Sequence, residues 1–178
     1  MRSIRGTRTF CATPTGEPRG MFKVSRGYNG AGMKDTPKTY GVWGNTLYLL
    51  NENGAVHIGT LATSSGVCHF CETDGYGSAH PHLVITDGMD VYAVNTGAPV
   101  MQQQTEFEQH GKIKLPLRVN STTEFIEPTH CAYLYGYLVV NDAGTDAFYT
   151  SYQFPFETYA PTDLEYYDLF RVNTTAFK

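Results

Sequence analysis

The feature that most constrains the fold is a short pattern that occurs three times at nearly equal spacing. Each copy begins with a glycine, continues with an apolar run, and ends in an asparagine that a glycine turn follows. The copies are Gly44–Asn51 with Gly54, Gly88–Asn95 with Gly97, and Gly136–Asn141 with Gly144. Their first glycines are 44 and 48 residues apart. A period of about 40–50 residues with several strands per unit is typical of β-propeller blades, although strand–turn–strand units also recur by chance.

The runs between the turns predict an all-β protein, because they are rich in Val, Tyr, Leu, Phe and Thr. Strands are predicted at Gly20–Val24, Thr46–Leu50, Ala55–Thr60, Val67–Glu72, His82–Thr86, Asp90–Asn95, Ala132–Tyr135, Tyr137–Asn141 and Ala147–Tyr152. Asn51–Gly54 and the pair Asp87-Gly88 are turn signals that predict antiparallel hairpins. Leu47–Leu50 and Tyr137–Val140 are apolar at every position, which predicts strands that are buried on both faces.

One segment, Met101–His110, favours a helix through its Gln and Glu content. It has no clear apolar stripe, so a loop or a single turn fits it equally well. The longest apolar run, Cys131–Val140, is far shorter than the ~20 residues that span a bilayer, and we expect no membrane association. No apolar stretch follows Met1–Arg5, which excludes a secretory signal and predicts free thiols for the four cysteines.

The fold expected from the repeat is therefore a partial β-propeller of about three blades. We treat residues 1–178 as a single propeller-like region with blade repeats near 44–60, 88–100 and 136–152. Propellers usually close with at least four blades. The chain is then expected either to be an excerpt of a longer propeller chain or to have its outer faces covered by partners.

Charge is unevenly distributed along the chain. Residues 1–40 hold eight basic and two acidic residues, a net charge of +6, whereas residues 41–178 carry −10. No Lys or Arg occurs between Gly41 and Gly111, so this stretch cannot hold a phosphate backbone by counterion release. The basic start could contact nucleic acid, or it could contact an acidic surface such as that of a neighbouring copy.

The best metal candidate is the pair Cys68 and Cys71 with His80 and His82, since two thiolates and two imidazoles can bind zinc. A strand, however, places Cys68 and Cys71 on opposite faces, which favours two buried thiols without a metal. We therefore predict no metal ligands and no cofactor.

Catalysis is not predicted either. Glycoside hydrolysis needs two carboxylates across a cleft. The candidate aspartates, Asp74, Asp87, Asp90, Asp142 and Asp146, lie in turns, where Asp is favoured for its local hydrogen bonds. Gly27–Gly32 lacks the Lys and the helix of a phosphate-binding loop. The many tyrosines could stack on bases or sugars, but they more often pack between sheets. The protein is thus expected not to be an enzyme.

The order of several segments resembles the packaged-DNA stabilisation proteins of short-tailed bacteriophages, which are tail-hub and head-completion components. The similar segments are Phe10–Pro14, Glu17–Phe22, Gly44–Tyr48, Ile58–Gly66, Leu83–Gly88, Leu134–Asn141, Gly144-Thr145 and Phe148–Ser151. The resemblance covers most of the chain, from about Thr7 to Tyr167, and it lies in order and spacing. Residues 112–129 are longer than the corresponding link between blades in that family, whose chains are more than twice this length.

The resemblance implies a structural virion protein of the phage tail, present in the host cytoplasm during assembly. Copies of the protein would form a ring, hexameric by resemblance, below the portal and adaptor. The ring would enclose and retain packaged DNA without sequence-specific binding and would seat the tail needle and the tailspike or fibre proteins. The family has no catalytic residues to carry over. The alternative is a carbohydrate-binding or glycosidase-like β-propeller domain.

Overall fold

A computed structural model describes residues 14–24, 37–73, 81–118, 121–151 and 169–172. Within these ranges the protein is mostly β, with three antiparallel sheets of four strands each and one helix. Each sheet is a meander in which consecutive strands are neighbours. The all-β prediction is therefore confirmed. Gly27–Gly32 and most of the acidic, aromatic stretch 151–168 lie outside the described residues.

Sheet 1 comprises β1 (Pro18–Lys23), β2 (Thr39–Trp43), β3 (Thr46–Asn51) and β4 (Gly54–Thr60). The predicted hairpin at Asn51–Gly54 is confirmed, because β3 pairs antiparallel with β4 across this turn. The β3–β4 register shifts between Leu47 and Tyr48, which pair with Gly59 and His57. This bulge leaves Ile58 as the extra residue in β4.

Sheet 2 comprises β5 (His69–Glu72), β6 (His82–Thr86), β7 (Val91–Asn95) and the short β8 (Lys112–Ile113). The second predicted hairpin is confirmed, since β6 and β7 pair antiparallel on either side of Asp87-Gly88. Gly88 has φ of 92°, a left-handed conformation that glycine adopts without the steric penalty of a Cβ.

The helix α1 (Val100–His110) lies between β7 and β8, which resolves the alternatives left open for Met101–His110. It buries only two side chains, Gln103 and Phe107, and this narrow contact explains why no apolar stripe is visible in the sequence. The Phe107 ring stacks on Tyr92, with centroids 5.6 Å apart. Gln103 Oε1 accepts a 3.0 Å hydrogen bond from the buried Tyr40 hydroxyl.

Sheet 3 comprises β9 (Cys131–Leu134), β10 (Tyr137–Asn141), β11 (Phe148–Thr150) and β12 (Phe170–Arg171). Between sheets 2 and 3 the chain forms one isolated antiparallel bridge, Leu117 to Phe125, among the described residues. The strands β2, β8 and β12 were not predicted from the sequence. Two of these contain only two residues, which is too short for a period to be visible.

The core is divided into two layers by sheet 2. On β7, Tyr92 and Val94 point into a first core, which sheets 1 and 2 and α1 enclose. Val91 and Ala93 point into a second core, between sheets 2 and 3. Because successive strand residues face opposite sides, one strand supplies both cores.

Burial on both faces is thus a property of sheet 2, where all five residues of β7 are buried. The prediction of two buried faces is wrong for Tyr137–Val140, and for Leu47–Leu50 it holds only at the neighbouring residues Leu49 and Leu50, which are both buried. Tyr48 is only half-buried, and Tyr137 is 38% exposed. Both strands lie in sheets that have one of their faces outside the two cores, and in β10 only the alternate residues Leu138 and Val140 are enclosed in a core.

The first strands of the sheets are neighbours, with β1 against β5 and β5 against β9. The repeated glycines do not occupy equivalent strands, however. Gly44 and Gly88 precede the third strand of their sheets, whereas Gly136 precedes the second strand of sheet 3. The turn of sheet 3 that corresponds to Asp87-Gly88 is therefore the one that begins at Asp142.

Candidate functional site

A cluster of polar side chains joins sheet 1 to sheet 2, and we call it the first polar cluster: Arg19, Thr63, Asp87, Asp90, Tyr92 and Lys112. Arg19 lies in β1 and is only 3% exposed. Its guanidinium donates to the main-chain oxygens of Gly66 (2.7 Å), Gly44 (2.9 Å), Thr63 (2.6 Å) and Asp87 (3.4 Å), and to Thr63 Oγ1 (2.6 Å). One buried cation thus links sheet 1, the loop that follows β4, and the β6–β7 turn.

The Asp87 carboxylate completes this connection from the side of sheet 2. Its Oδ1 accepts the N–H groups of Met89 (3.0 Å) and Asp90 (2.8 Å), and its Oδ2 accepts the N–H of Thr63 (3.0 Å). The Tyr92 hydroxyl lies 3.5 Å from Oδ2 as well. Both carboxylate oxygens of Asp87 thus accept hydrogen bonds, one within the turn and one from the neighbouring loop, which gives Asp87 a structural role.

Asp90 and Tyr92 are also held by internal partners. Asp90 Oδ2 forms a 2.7 Å ion pair with Lys112 Nζ on β8. The Tyr92 oxygen accepts a 2.7 Å hydrogen bond from the N–H of Ala62. Burial, together with the charges of Asp87 and Asp90, raises the pKa of the Tyr92 phenol, which therefore remains protonated at neutral pH.

A second polar cluster, formed by Arg118, Glu124, Glu127 and Asp142, lies at the start of sheet 3. Arg118 Nη2 is 2.7 Å from Asp142 Oδ1, and its Nε is 3.0 Å from Oδ2, which is a two-point contact. The N–H of Glu127 also donates to Asp142 Oδ1 at 3.0 Å. Burial alone would raise the pKa of Asp142, but the hydrogen bonds from Arg118 and Glu127 outweigh it and hold the pKa below its usual value.

The two clusters occupy corresponding places. Asp87 follows β6 and Asp142 follows β10, each the second strand of its sheet, and each carboxylate accepts main-chain N–H groups. An arginine from an earlier part of the chain contacts each turn. The first cluster fastens sheet 1 to sheet 2, and the second fastens Arg118 and Glu127, which precede sheet 3, to the turn that follows β10.

A third group of chemistry-bearing side chains lies where β5 meets β9, and we call it the β5–β9 seam: His69, Cys71, His130 and Cys131. The imidazole centroids of His69 and His130 are 3.8 Å apart. Burial, and secondly the charge of His130, lowers the pKa of His69. The thiols of Cys71 and Cys131 are in hydrogen-bonding contact, which together with burial raises the pKa of Cys71.

The predicted metal candidates are separated by the fold. Cys68 is buried in the first core, and burial raises the pKa of its thiol to about 11. Cys71 packs against the second core, as the strand period predicts. His82 is half-buried at the start of β6, and His80 lies outside the described residues. In the described ranges no group of three or more His, Cys, Asp or Glu side chains is placed to hold a metal ion.

The remaining candidates are scattered over the structure. Asp146 is exposed in the β10–β11 turn, and Asp74 lies outside the described residues. Tyr149 is buried in the second core, whereas Tyr135 is 83% exposed. Tyr48 belongs to a row of rings on the outer face of sheet 1, with its centroid 6.3 Å from Trp43 and 6.4 Å from His57.

Sequence reasoning did not select the two arginines that organise the polar clusters. Arg19 looks like one of several basic residues near the start of the chain, and Arg118 lies in a segment without a predicted strand. The only signal in the sequence is the presence of Asp87 and Asp142 in turns, since a buried carboxylate needs a basic partner. Pairing Arg19 with a turn 68 residues away, however, requires the sheet topology.

No protein-family model matches the chain, and no curated protein matches it. Among the described residues, no helix has the length and apolar character needed to cross a membrane.

Proposed function

We propose that the chain is a set of β-propeller blades from a structural protein of the tail hub of a short-tailed bacteriophage. In this role, copies form a ring, hexameric by resemblance, below the portal and adaptor. The ring keeps packaged DNA in the head and seats the tail needle and the tailspike or fibre proteins. The protein acts in the virion after assembly in the host cytoplasm.

The observation that carries the proposal is the stacking of three four-stranded meanders. Sheet 2 packs between sheets 1 and 3, and the first strands β1, β5 and β9 follow one another. Blades around a propeller axis have this relation, with their first strands innermost. Closing the ring would need further sheets on the outer faces of sheets 1 and 3. Residues on those faces, such as Met21 (65% exposed) and Leu134 (59% exposed), supply apolar surface for this contact.

The distribution of cations supports a protein that surrounds DNA without gripping it. Arg19 and Arg118 direct their guanidinium groups to internal partners, and Lys112 is paired with Asp90. The stretch Gly41–Gly111 has no Lys or Arg. Between Gly41 and Arg118 few cations are then left for phosphates, which suits the wall of a channel through which a genome must leave.

The state of the carboxylates supports a role without catalysis. Asp87, Asp90 and Asp142 each accept hydrogen bonds or ion pairs from within the fold. A general acid or base needs a free position from which to reach a substrate. We therefore propose that the protein has no enzymatic activity.

Electron microscopy of the purified protein, alone and mixed with a phage portal–adaptor complex, tests the proposal. We expect ring-shaped particles on the complex and only weak binding of random-sequence duplex DNA. A protein that neither forms rings nor binds the complex would overturn the assignment. So would tight DNA binding that weakens steeply with salt, because it would mean that the surface grips phosphates.

The second candidate is a carbohydrate-binding or glycosidase-like domain. It is favoured by the row Trp43, Tyr48 and His57 across the outer face of sheet 1, since aromatic faces bind sugars. The interplanar angles of 71° and 86° leave these rings edge to face, which does not form a flat platform. Binding to an immobilised glycan that Trp43→Ala abolishes, or glycan hydrolysis, would favour this candidate over the tail hub.

A further inference from the structure

The β5–β9 seam holds two cysteines that face each other from different sheets. Cys71 is the third residue of β5, and Cys131 is the first residue of β9. Cys71 lies opposite Val84 of β6, and the Cys71 and Cys131 side chains both pack at the edge of the second core, close enough for their thiols to hydrogen-bond. Cys131 Sγ also lies 3.9 Å from the main-chain oxygen of Val84 in β6.

The two thiols are partly accessible as well as adjacent. Cys71 and Cys131 are half-buried, whereas Cys68 is 3% exposed in the other core. The imidazoles of His69 and His130, with centroids 3.8 Å apart and planes tilted by 39°, are in contact where β5 meets β9, next to the thiols, which limits the movement needed to join the sulfur atoms. Adjacency, accessibility to a small oxidant and a restrained backbone are the conditions for reversible disulfide formation.

We propose that Cys71 and Cys131 form a redox-sensitive disulfide site that covalently joins sheet 2 to sheet 3. The thiols are free under reducing conditions, as in the structure, and the bond forms when a low-molecular-weight disulfide is present. This inference rests on the geometry of the seam and stands whether or not the proposed function is correct.

The reaction is a double thiol–disulfide exchange. One of the two protein sulfurs attacks one sulfur of the small disulfide, which forms a mixed disulfide and releases one small thiol. The other protein sulfur then attacks the first protein sulfur in the mixed disulfide, and a second small thiol leaves. The two protein sulfurs are oxidised, the two sulfurs of the small disulfide are reduced, and the two thiol protons end on the released thiols.

The two sulfurs are interchangeable in this scheme, since both side chains are half-buried. The bond would close a long loop that includes β6, β7, α1 and β8, which constrains the unfolded chain and raises stability.

The test uses the full chain, purified with a reductant, freed of it, and equilibrated with oxidised glutathione. We expect a monomeric product lighter by two hydrogen atoms. After free thiols are alkylated, chymotrypsin cleaves behind Phe70 and so separates Cys68 from Cys71. Mass spectrometry should then find a cross-linked peptide that contains Cys71 and Cys131. The urea midpoint of the oxidised protein should exceed that of the reduced protein.

Matched variants identify the residues. Cys71→Ser and Cys131→Ser should each lose the cross-link and the rise in urea midpoint, whereas Cys68→Ala should retain both. The proposal is overturned if no cross-link forms, if it includes Cys11 or Cys68, or if it joins only separate molecules. Because the peptide map is made on the unaltered chain, it decides the question even if a serine variant does not fold.

Discussion

At the scale of single residues, the buried Arg19 of β1 forms a set of directed hydrogen bonds instead of a hydrophobic contact. The Arg19 guanidinium satisfies acceptors from three separate segments of chain, which are the turn at Gly44, the loop at Thr63–Gly66 and the turn at Asp87. Without the guanidinium, the buried Asp87 oxygen and the partly buried oxygens of Gly44, Thr63 and Gly66 would each lose this partner. The position of sheet 1 on sheet 2 therefore depends on this side chain.

Replacing Arg19 with Met should lower the free energy of unfolding by roughly 3 kcal/mol, because each buried polar group left without a partner costs about 1–3 kcal/mol. Arg19→Lys should recover little, since one ammonium cannot match the planar fork of a guanidinium. Urea unfolding measures both effects. Lys23→Met, on the same strand at an exposed position, is the control and should change stability by less than about 0.5 kcal/mol. Equal losses at Arg19 and Lys23 would contradict this account.

The contribution of Asp142 to the stability of the folded protein depends on pH. Its pKa is lower in the folded protein than in the unfolded chain, where it is about 3.9. The unfolded chain therefore takes up the proton first as pH falls. The stabilisation is complete above the unfolded pKa and is lost as pH falls from about 4 through the folded value.

In Asp142→Asn, the part of the acid destabilisation that arises from this carboxyl should disappear, so that the unfolding free energy falls less steeply below about pH 4. Above that pH the variant should be less stable than the parent, because Arg118 loses a charged partner. Chemical unfolding at a series of pH values tests this. Asp146→Asn, at an exposed position of the same turn, should keep the parent's slope. An unchanged slope in Asp142→Asn would exclude the Arg118 contact as its cause.

At the scale of elements, local sequence signals predict the two hairpins, whereas the helix α1 and the strand β2 depend on tertiary contacts. The turns at Asn51–Gly54 and Asp87-Gly88 carry their own residue preferences, and both hairpins are present. The sequence does not distinguish a helix from a loop at Met101–His110, because the burial of this segment depends on Phe107 meeting Gly59 of sheet 1. The strand β2 was missed since its central Gly41 weakens the strand signal, although a Cβ there would meet the Trp43 ring.

The packing of α1 on sheet 1 can be tested at that contact. Gly59→Ala places a methyl group where the Phe107 ring lies, and overpacking of this kind costs about 1–3 kcal/mol. We expect this loss in urea unfolding. Combining Gly59→Ala with Phe107→Leu should cost less than the sum of the single changes, because the smaller side chain makes room for the methyl group. Strict additivity would show that the two residues do not compete for space.

At the scale of the whole molecule, the three copies of the glycine pattern fall one in each of the three sheets of the described residues. Gly136, however, lies one strand earlier in its sheet than Gly44 and Gly88 do in theirs. Glycine followed by a strand marks any tight turn of a meander, so the pattern cannot distinguish the second strand from the third. Asp87 and Asp142 identify equivalent turns better than the glycines do, because each follows the second strand of its sheet.

The charge distribution leads to a prediction about assembly. Residues 1–40 carry +6 and residues 41–178 carry −10, so the start of one copy can attract the acidic remainder of another. Salt shortens the range of this attraction from about 10 Å at 0.1 M to about 3 Å at 1 M. If copies associate in this way, the mass measured by sedimentation should fall toward that of the monomer as salt is raised.

A charge variant identifies the segment responsible. The triple change Arg2→Gln, Arg5→Gln and Arg8→Gln removes half of the net charge of residues 1–40, and it should reduce association at low salt to the level that the parent shows at high salt. Lys114→Gln with Arg171→Gln removes positive charge from exposed positions elsewhere and is the control. Association that is unaffected by salt, or that strengthens with salt, would mean that the copies meet through apolar faces such as the outer face of sheet 3.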